Sequence, residues 1–335
     1  MVFKTEQEII PEVKPLLKGK SSVDGEKQKR TRKKQPPKGS RWSIAVFFAL
    51  TLILIALFWL KTSLPVFWQK LTAPLVITSS RQTAKLDSDP VLKQIQSLTQ
   101  ELQGEYGLYV YEISSKKEYG FSQKETFPAA SLMKLPVMLC FYQEVEKGNL
   151  SLETKYTLVE KDKVSGAGIL QGKTAGSIYS YLQLIEYMGQ YSDNTAFKVL
   201  RRVLGDEKIQ QTIDDLGMSG TSLADFETTP EDIGLLFQKL YQGKTINTGH
   251  RDQMLGFLTK TVFEDWLPAG LPKEIRMAHK IGKDLGTFAD GGIVFTDQPY
   301  VIVVMSKEAR EEEAKEVLPE ISRRVFDFES SVSSL

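Results

Sequence analysis

The chain has 335 residues, 41% hydrophobic and 25% charged, the make-up of a globular protein, which excludes wholesale disorder, collagen and a disulfide scaffold. One cysteine, Cys140, cannot form an internal disulfide, and two histidines, His250 and His279, argue against a histidine-rich metal site. The net charge of +1 hides an asymmetry: residues 1–41 hold 12 Lys/Arg against 5 Asp/Glu, and the remaining 294 hold 31 against 37.

In chain order, residues 1–41 read as a basic, disordered tail, with eight basic residues between Lys27 and Arg41. Trp42 to Leu60 is 19 residues without a charge, apolar all round and long enough as a helix to cross a bilayer. Basic residues crowd its N-terminal side, which orients the N-terminus to the cytoplasm and the remainder outward. A cleaved signal peptide is the rival reading, but KTSLPVFWQKL after the span offers no small-residue cleavage site. The expectation is a single-pass cell-membrane anchor at 42–60, an extracytoplasmic domain, and no nucleic-acid partner for the tail. Residues 61–87 read as a linker.

Structure resumes at Ser88-Asp89-Pro90, a cap and proline that open a helix with apolar residues at helical spacing, closed by Gly104. Tyr106–Ile113 alternates like a strand, and SSKKEYG reads as the turn into its partner. The middle is helical, at 131–147, 178–189, 195–204, 206–216 and 230–241, the last with Thr229 as cap. Strands return at 275–283, 288–296 and 299–306, and a charged helix from Ala309 to Phe326 ends the folded part. The domain is expected over 88–328, with 329–335 as a tail. Strands from both ends can join one antiparallel sheet, with helices against it and a helical lobe inserted between, an α+β architecture.

The chemistry starts at Ser131-Leu132-Met133-Lys134, at the entry of an apolar helix, which sets Ser131 and Lys134 on one face a turn apart. A serine hydroxyl is a poor nucleophile until a base takes its proton, and a desolvated lysine can be that base. Ser-x-x-Lys recurs at Ser114–Lys117, so the spacing alone carries little. Ser192-Asp193-Asn194 lies where a loop enters the next helix, and for an isolated triplet a helix cap is the plain explanation. His279-Lys280-Ile281-Gly282-Lys283 lies in a strand, where glycine lets a substrate backbone approach closely. Ser192 follows Ser131 by 61 residues and Lys280 follows Ser192 by 88.

With these motifs, the segment VSGAGILQ at 164–171, and YSDNTAFKVL, TTPEDIGLL and AGLPKEIRMAHKIG in order, the chain resembles the penicillin-recognising serine hydrolases, nearest to class A β-lactamases. The resemblance implies a β-lactamase/transpeptidase-like fold, with Ser131 as acylated nucleophile and Lys134 as proton acceptor. It further implies that Ser192 passes a proton to the leaving nitrogen, with Lys280 as positive charge beside it. Asn194 would hold the substrate amide, Gly282 and Lys283 would line the substrate, and the backbone N–H groups of Ser131 and Lys283 would form the oxyanion hole. No metal or organic cofactor is implied.

Two departures stand out. Ile281 replaces the hydroxyl residue of the family's Lys-Thr/Ser-Gly motif, and Lys283, on the same face of the strand, is the candidate to take over the anion contact. The family's Glu-Pro-x-x-Asn loop segment, which places the deacylating water, is absent from the 33 residues between Asn194 and Thr228. Asp225 and Glu227 are the nearest carboxylates, and read as exposed loop charge. The leading expectation is a membrane-anchored serine hydrolase that opens β-lactams through an acyl-serine. A penicillin-binding D-Ala-D-Ala carboxypeptidase-like enzyme acting on a peptidoglycan stem peptide is the alternative. A sensor that stays acylated, and a catalytically silent wall-associated domain, are the remaining readings.

Overall fold

A computed structural model describes residues 88–333, together with Thr51 and Leu52. The tail, the linker and all but two residues of the 42–60 span lie outside the described residues, and among the described residues no helix is long and apolar enough to cross a membrane. The described fold lies in the unit formed by residues 80–335, the second of two.

The second unit opens with α1 (Asp89–Gln100), β1 (Glu105–Glu112), β2 (Glu118–Phe121) and the two-residue β3 (Phe127–Pro128). A 3₁₀ turn over Ala130–Met133 leads into α2 (Lys134–Glu146), followed by β4 (Lys155–Thr157), β5 (Ile178–Ser180), α3 (Tyr181–Gln190), α4 (Asn194–Leu204) and α5 (Asp206–Asp215). Then come β6 (Glu227–Thr228), α6 (Pro230–Tyr241), α7 (Thr248–Thr259), β7 (Arg276–Asp284), β8 (Thr287–Phe295), β9 (Tyr300–Lys307) and α8 (Glu311–Ser333). The main sheet is antiparallel, ordered β2-β1-β9-β8-β7, so the first strands of the unit do join the last three.

Residues two apart share a face of this sheet. Leu108 and Val110 of β1, with Ile302 and Val304 of β9, pack in one core beneath α1 and α8. Tyr109 and Tyr111, with Val301 and Val303, pack in a second core shared with α2 to α7. Covered on both sides, the middle of β1 and of β9 carries apolar residues on both faces. At Gly234 on α6 an added Cβ would lie 2.3 Å from the Tyr109 ring, so glycine sets how closely that helix approaches the sheet.

Several segments differ from the sequence reading, among them 131–133, which form a 3₁₀ turn in place of the start of the helix expected at 131–147. Residues 178–180 pair with β4 as a strand, and the helix starts only at Tyr181, where Ser180 caps it in a reciprocal capping box with Gln183. Helix α7 was not expected; Asn247 caps it, but Gly249 and Gly256 blur its apolar spacing. Helix α8 runs past Phe326 to Ser333 because Phe328 packs against the outer core and Glu329 is buried.

Glu329 accepts a hydrogen bond from the Tyr119 hydroxyl, and burial, reinforced by the nearby Glu112, raises its carboxyl from 4.5 to about 7. A carboxyl raised in the folded state holds its proton more tightly there than in the unfolded chain. Its favourable contribution is therefore complete below pH 4.5 and lost as pH rises through about 7. Relative to Glu329→Gln, wild type should lose about 3 kcal/mol of stability between pH 4.5 and 8 in urea titrations; parallel curves would contradict this placement.

Candidate active site

Three distant stretches of chain meet at Lys134. The 3₁₀ turn brings Ser131 against the start of α2, and Lys134 Nζ donates to Ser131 Oγ at 2.7 Å. The loop between α3 and α4 supplies Ser192 O at 2.8 Å, Ser192 Oγ at 3.2 Å and Asn194 Oδ1 at 2.7 Å to the same nitrogen. From β7, Lys280 Nζ donates to Ser192 Oγ at 2.8 Å and to the Ile281 carbonyl at 3.2 Å. Ser192 thus bridges the two lysines, both of which are almost wholly buried.

An ammonium has three protons, and Lys134 Nζ has four oxygens within reach. A neutral amine has two protons and a lone pair, and the lone pair can accept the Ser131 hydroxyl proton. Burial shifts the balance toward that form. Burial holds the Lys134 amine down to about 8, against a counter-pull from Asp193. Lys280 lies well below its ordinary range, through burial first and Lys134 second, with Asp290 opposing. Sharing one Oγ, the two nitrogens lie within about 6 Å of each other. Two full charges at that distance repel by about 3 kcal/mol at an effective dielectric of about 20.

The backbone is strained at the two serine-bearing turns. Ala130, just before Ser131, has φ +43°, and Ser192 has φ +53°, conformations that cost a residue with a side chain about 1–3 kcal/mol and collect at functional sites. Asp193 holds the second turn in place. Its Oδ1 caps α4 by accepting from Ala196 N–H at 2.9 Å, and its Oδ2 accepts from Ile169 and Leu170 N–H at 2.7 and 2.8 Å. The capping role read for this triplet is therefore real, and it serves to aim Ser192 and Asn194 at Lys134. Gly168 (φ +112°) is required by the same contact, since a Cβ there would lie 2.3 Å from the Asp193 carboxylate. Asn194 Nδ2 in turn donates to the Ser165 carbonyl at 3.1 Å.

The edge strand β7 carries the other expected residues. At Gly282 an added Cβ would meet the Ala129 carbonyl at 3.2 Å and Leu132 at 3.3 Å. The close approach for which glycine was expected is thus made by the turn carrying Ser131. The Lys283 side chain reaches across the cleft to Glu311 Oε1 at 2.5 Å. Ser114–Lys117, by contrast, lies in the β1–β2 turn, where Lys117 pairs with Glu112.

A cleft of about 610 Å³ opens over Ser131 and Ser192, with Phe263, Ile281, Leu285 and Phe288 as apolar wall. Sequence reasoning missed Phe263, Leu285 and Glu311, whose only signal is proximity in space. It also missed the buried pair of His279 Nδ1 and Asp290 Oδ1, 2.7 Å apart, behind Lys280. Neither Asp225 nor Glu227 lines this cleft. Asp225 accepts from Ser222 Oγ at 2.7 Å, and Glu227 is exposed opposite Pro128. Between them Phe226 (φ +59°) sets its ring edge-on to Phe197, whose ring lies 5.8 Å from Lys134 Nζ. Among the described residues no group of His, Cys, Asp and Glu is placed to hold a metal ion.

A serine joined to a desolvated lysine, and a second serine bridging to another, is the side-chain set of the penicillin-recognising serine hydrolases. The chain belongs to the Beta-lactamase enzyme family, whose model it matches over residues 90–328. It is similar to β-lactamase VEB-1 of Pseudomonas aeruginosa, 23% identical over 76% of this chain and 93% of that one. It is likewise similar to a β-lactamase of Streptomyces lavendulae, 25% identical over 66% and 79% of the two chains. Among solved structures, PBP-A superposes with a TM-score of 0.68 at 29% identity, covering 72% of this chain and 97% of PBP-A.

If Lys134 is the base for Ser131, acylation by a β-lactam should rise with pH through about 8, where its amine loses the proton. Quenched-flow mass spectrometry from pH 6 to 9.5 checks this, and a flat profile would contradict it.

Proposed function

We propose that this protein is a serine acyl-enzyme hydrolase acting on D-Ala-D-Ala-like peptides and on the β-lactams that mimic them, acylated faster than it is deacylated. The observation that carries the reading is the buried Lys134 Nζ held 2.7 Å from Ser131 Oγ. Neutral Lys134 takes the Ser131 proton as Oγ attacks the carbonyl carbon. The backbone N–H groups of Ser131 and Lys283 receive the developing oxyanion. As the C–N bond breaks, the Ser192 hydroxyl gives its proton to the leaving nitrogen and is reprotonated from Lys134. Lys280 holds the Ser192 oxygen in place through its 2.8 Å hydrogen bond. Asn194 Oδ1 fixes Lys134, while Nδ2, with one hydrogen on Ser165, keeps the other for a substrate carbonyl.

Water must then cleave the Ser131 ester, and neither loop carboxylate, Asp225 nor Glu227, lines the cleft to activate it. The stretch that should supply a base presents Phe226 toward Phe197. An unactivated water costs about 10²–10⁴-fold in rate. PBP-A is of interest here, because a solved structure of its L158E mutant is an acyl-enzyme complex with penicillin G. These points favour a penicillin-binding, peptidase-like role over that of an efficient β-lactamase.

The topology proposed with this function is a single-pass anchor at 42–60, N-terminus in the cytoplasm and hydrolase domain outside. It rests on the 19 uncharged residues and the basic tail before them. Protease added to spheroplasts should degrade the domain and spare the tail; a protected domain would refute the orientation.

Penicillin should label the peptide containing Ser131, with a burst of one equivalent followed by slow turnover. Ser131→Ala should abolish the label, while Asp225→Asn and Glu227→Gln should change the slow phase less than about twofold. Fast turnover without a burst, lost in either carboxylate variant, would show that the loop does carry the deacylating base.

A further inference from the structure

Away from the catalytic cleft, two grooves of about 490 and 470 Å³ lie along the seam between the sheet and helices α6 and α7. Tyr241, the last residue of α6, is a wall of both, and no residue of either lines the catalytic cleft. The first groove, beside the β1–β2 turn, takes Lys116, Lys239 and Lys244. The second takes Arg251, Arg276 and Asp252. Five cations thus face one carboxylate, in a chain whose residues 42–335 carry 31 Lys/Arg against 37 Asp/Glu.

The excess is not neutralised locally. Asp252 pairs with Arg251 at 2.8 Å, which leaves the other four cations without a carboxylate in either groove. Lys239 Nζ donates to the Leu216 carbonyl at 2.7 Å, a neutral partner that leaves its charge in place. Lys116, Lys244 and Arg276 are exposed, and among the described residues their side chains make no hydrogen bond or ion pair. Glu112, beside Ile113 of the first groove, is engaged by Ser115 Oγ at 2.6 Å and Lys117 Nζ at 3.7 Å. Glu274 and Asp297, close in sequence to Arg276 and Phe295, line neither groove.

Between the charges the walls are ring and hydrocarbon: Tyr111, Ile113 and Tyr241, then Leu255 and Phe295. Gln242 adds an amide that is not hydrogen-bonded among the described residues. An amphipathic ring beside an open amide suits the C–H and O–H groups of a sugar or polyol. Lysine and arginine in the same grooves suit phosphate oxygens. Tyr111 is buried, so it displays no ring face for the base stacking that single-stranded nucleic acids use. A concave trench also fits a chain better than a flat bilayer.

We propose that this trench binds a linear polyanion whose sugar or polyol units are joined by phosphodiesters. Occupancy leaves the cleft open and holds the domain on the polymer while Ser131 reacts. The proposal does not depend on the acyl-enzyme reading.

The test is acetylation footprinting of the full chain in neutral detergent, read lysine by lysine by mass spectrometry, which separates the trench from the basic tail. With poly(glycerol phosphate), Lys116 and Lys244 should become at least about fivefold less reactive, and high salt should reverse this. Lys93 and Lys155, exposed elsewhere, should change less than about twofold in the same samples. In a Lys244→Gln, Arg276→Gln double variant, half-protection of Lys116 should need at least about tenfold more polymer. Circular dichroism melting checks that this variant folds. Polyglutamate and oligouridylate of equal charge should protect less than poly(glycerol phosphate) does. Equal protection by polyglutamate would reduce the trench to a charge effect, and stronger protection by oligouridylate would make it a nucleic-acid site. Protection by phosphatidylglycerol in the micelles, without polymer, would make it a lipid surface. Each of these results overturns the proposal, as does protection that is absent, spread to Lys93 and Lys155, or unmoved by the double variant.

Discussion

The structure turns on a mismatch at one nitrogen: Lys134 Nζ is buried, has four oxygens in reach, and sits close to a second buried lysine. Removing an ammonium from water is costly unless fixed charges surround it. Asp193, the carboxylate that acts on it, spends its oxygens on three backbone N–H groups. The amine is thus left poised near neutrality and next to a hydroxyl. A surface Ser-x-x-Lys such as Ser114–Lys117 has the same spacing and lacks this environment.

The rest of the unit supports that mismatch. The double-sided sheet gives β7 a rigid edge, and Gly282 lets the Ser131 turn lie directly on it. The helical lobe carries the loop with Ser192 and Asn194, and Asp193 ties that loop to residues 168–170. Strain at Ala130 and Ser192 is tolerated because packing on all sides over-determines both turns. The positions of the two serines are therefore set by long-range contacts, and the sequence motifs mark only where those contacts end.

Much of this was legible because two local signals are strong here. Apolar runs of strand length near both ends announced the sheet, and caps such as Thr229 with Pro230 announced helices. Ser180 with Gln183 is equally plain once seen, yet the apolar Ile178 and Tyr179 before it extended the apparent helix by three residues. The three motifs of the site were legible as short strings, two of them at helix starts and the third within β7. The rest was not, for physical reasons. The pairing of Lys283 with Glu311 joins a strand to a helix 28 residues on, and nothing local announces it. The wall built by Phe263, Leu285 and Phe288 comes from a loop, a hairpin tip and a strand, which share no periodicity. The loop carboxylates could be named in sequence, but only the fold shows that Phe226 takes the position beside Phe197.

The central claim is that Lys134 loses its proton near physiological pH while held against Ser131. The direct measurement is NMR titration of the soluble domain, its lysines labelled with ¹³C at Cε and the Lys134 signal assigned by its loss in Lys134→Arg. The account predicts a midpoint at about 8, more than two units below an ordinary lysine. A Lys134 signal titrating with the surface lysines near 10.5 would contradict it.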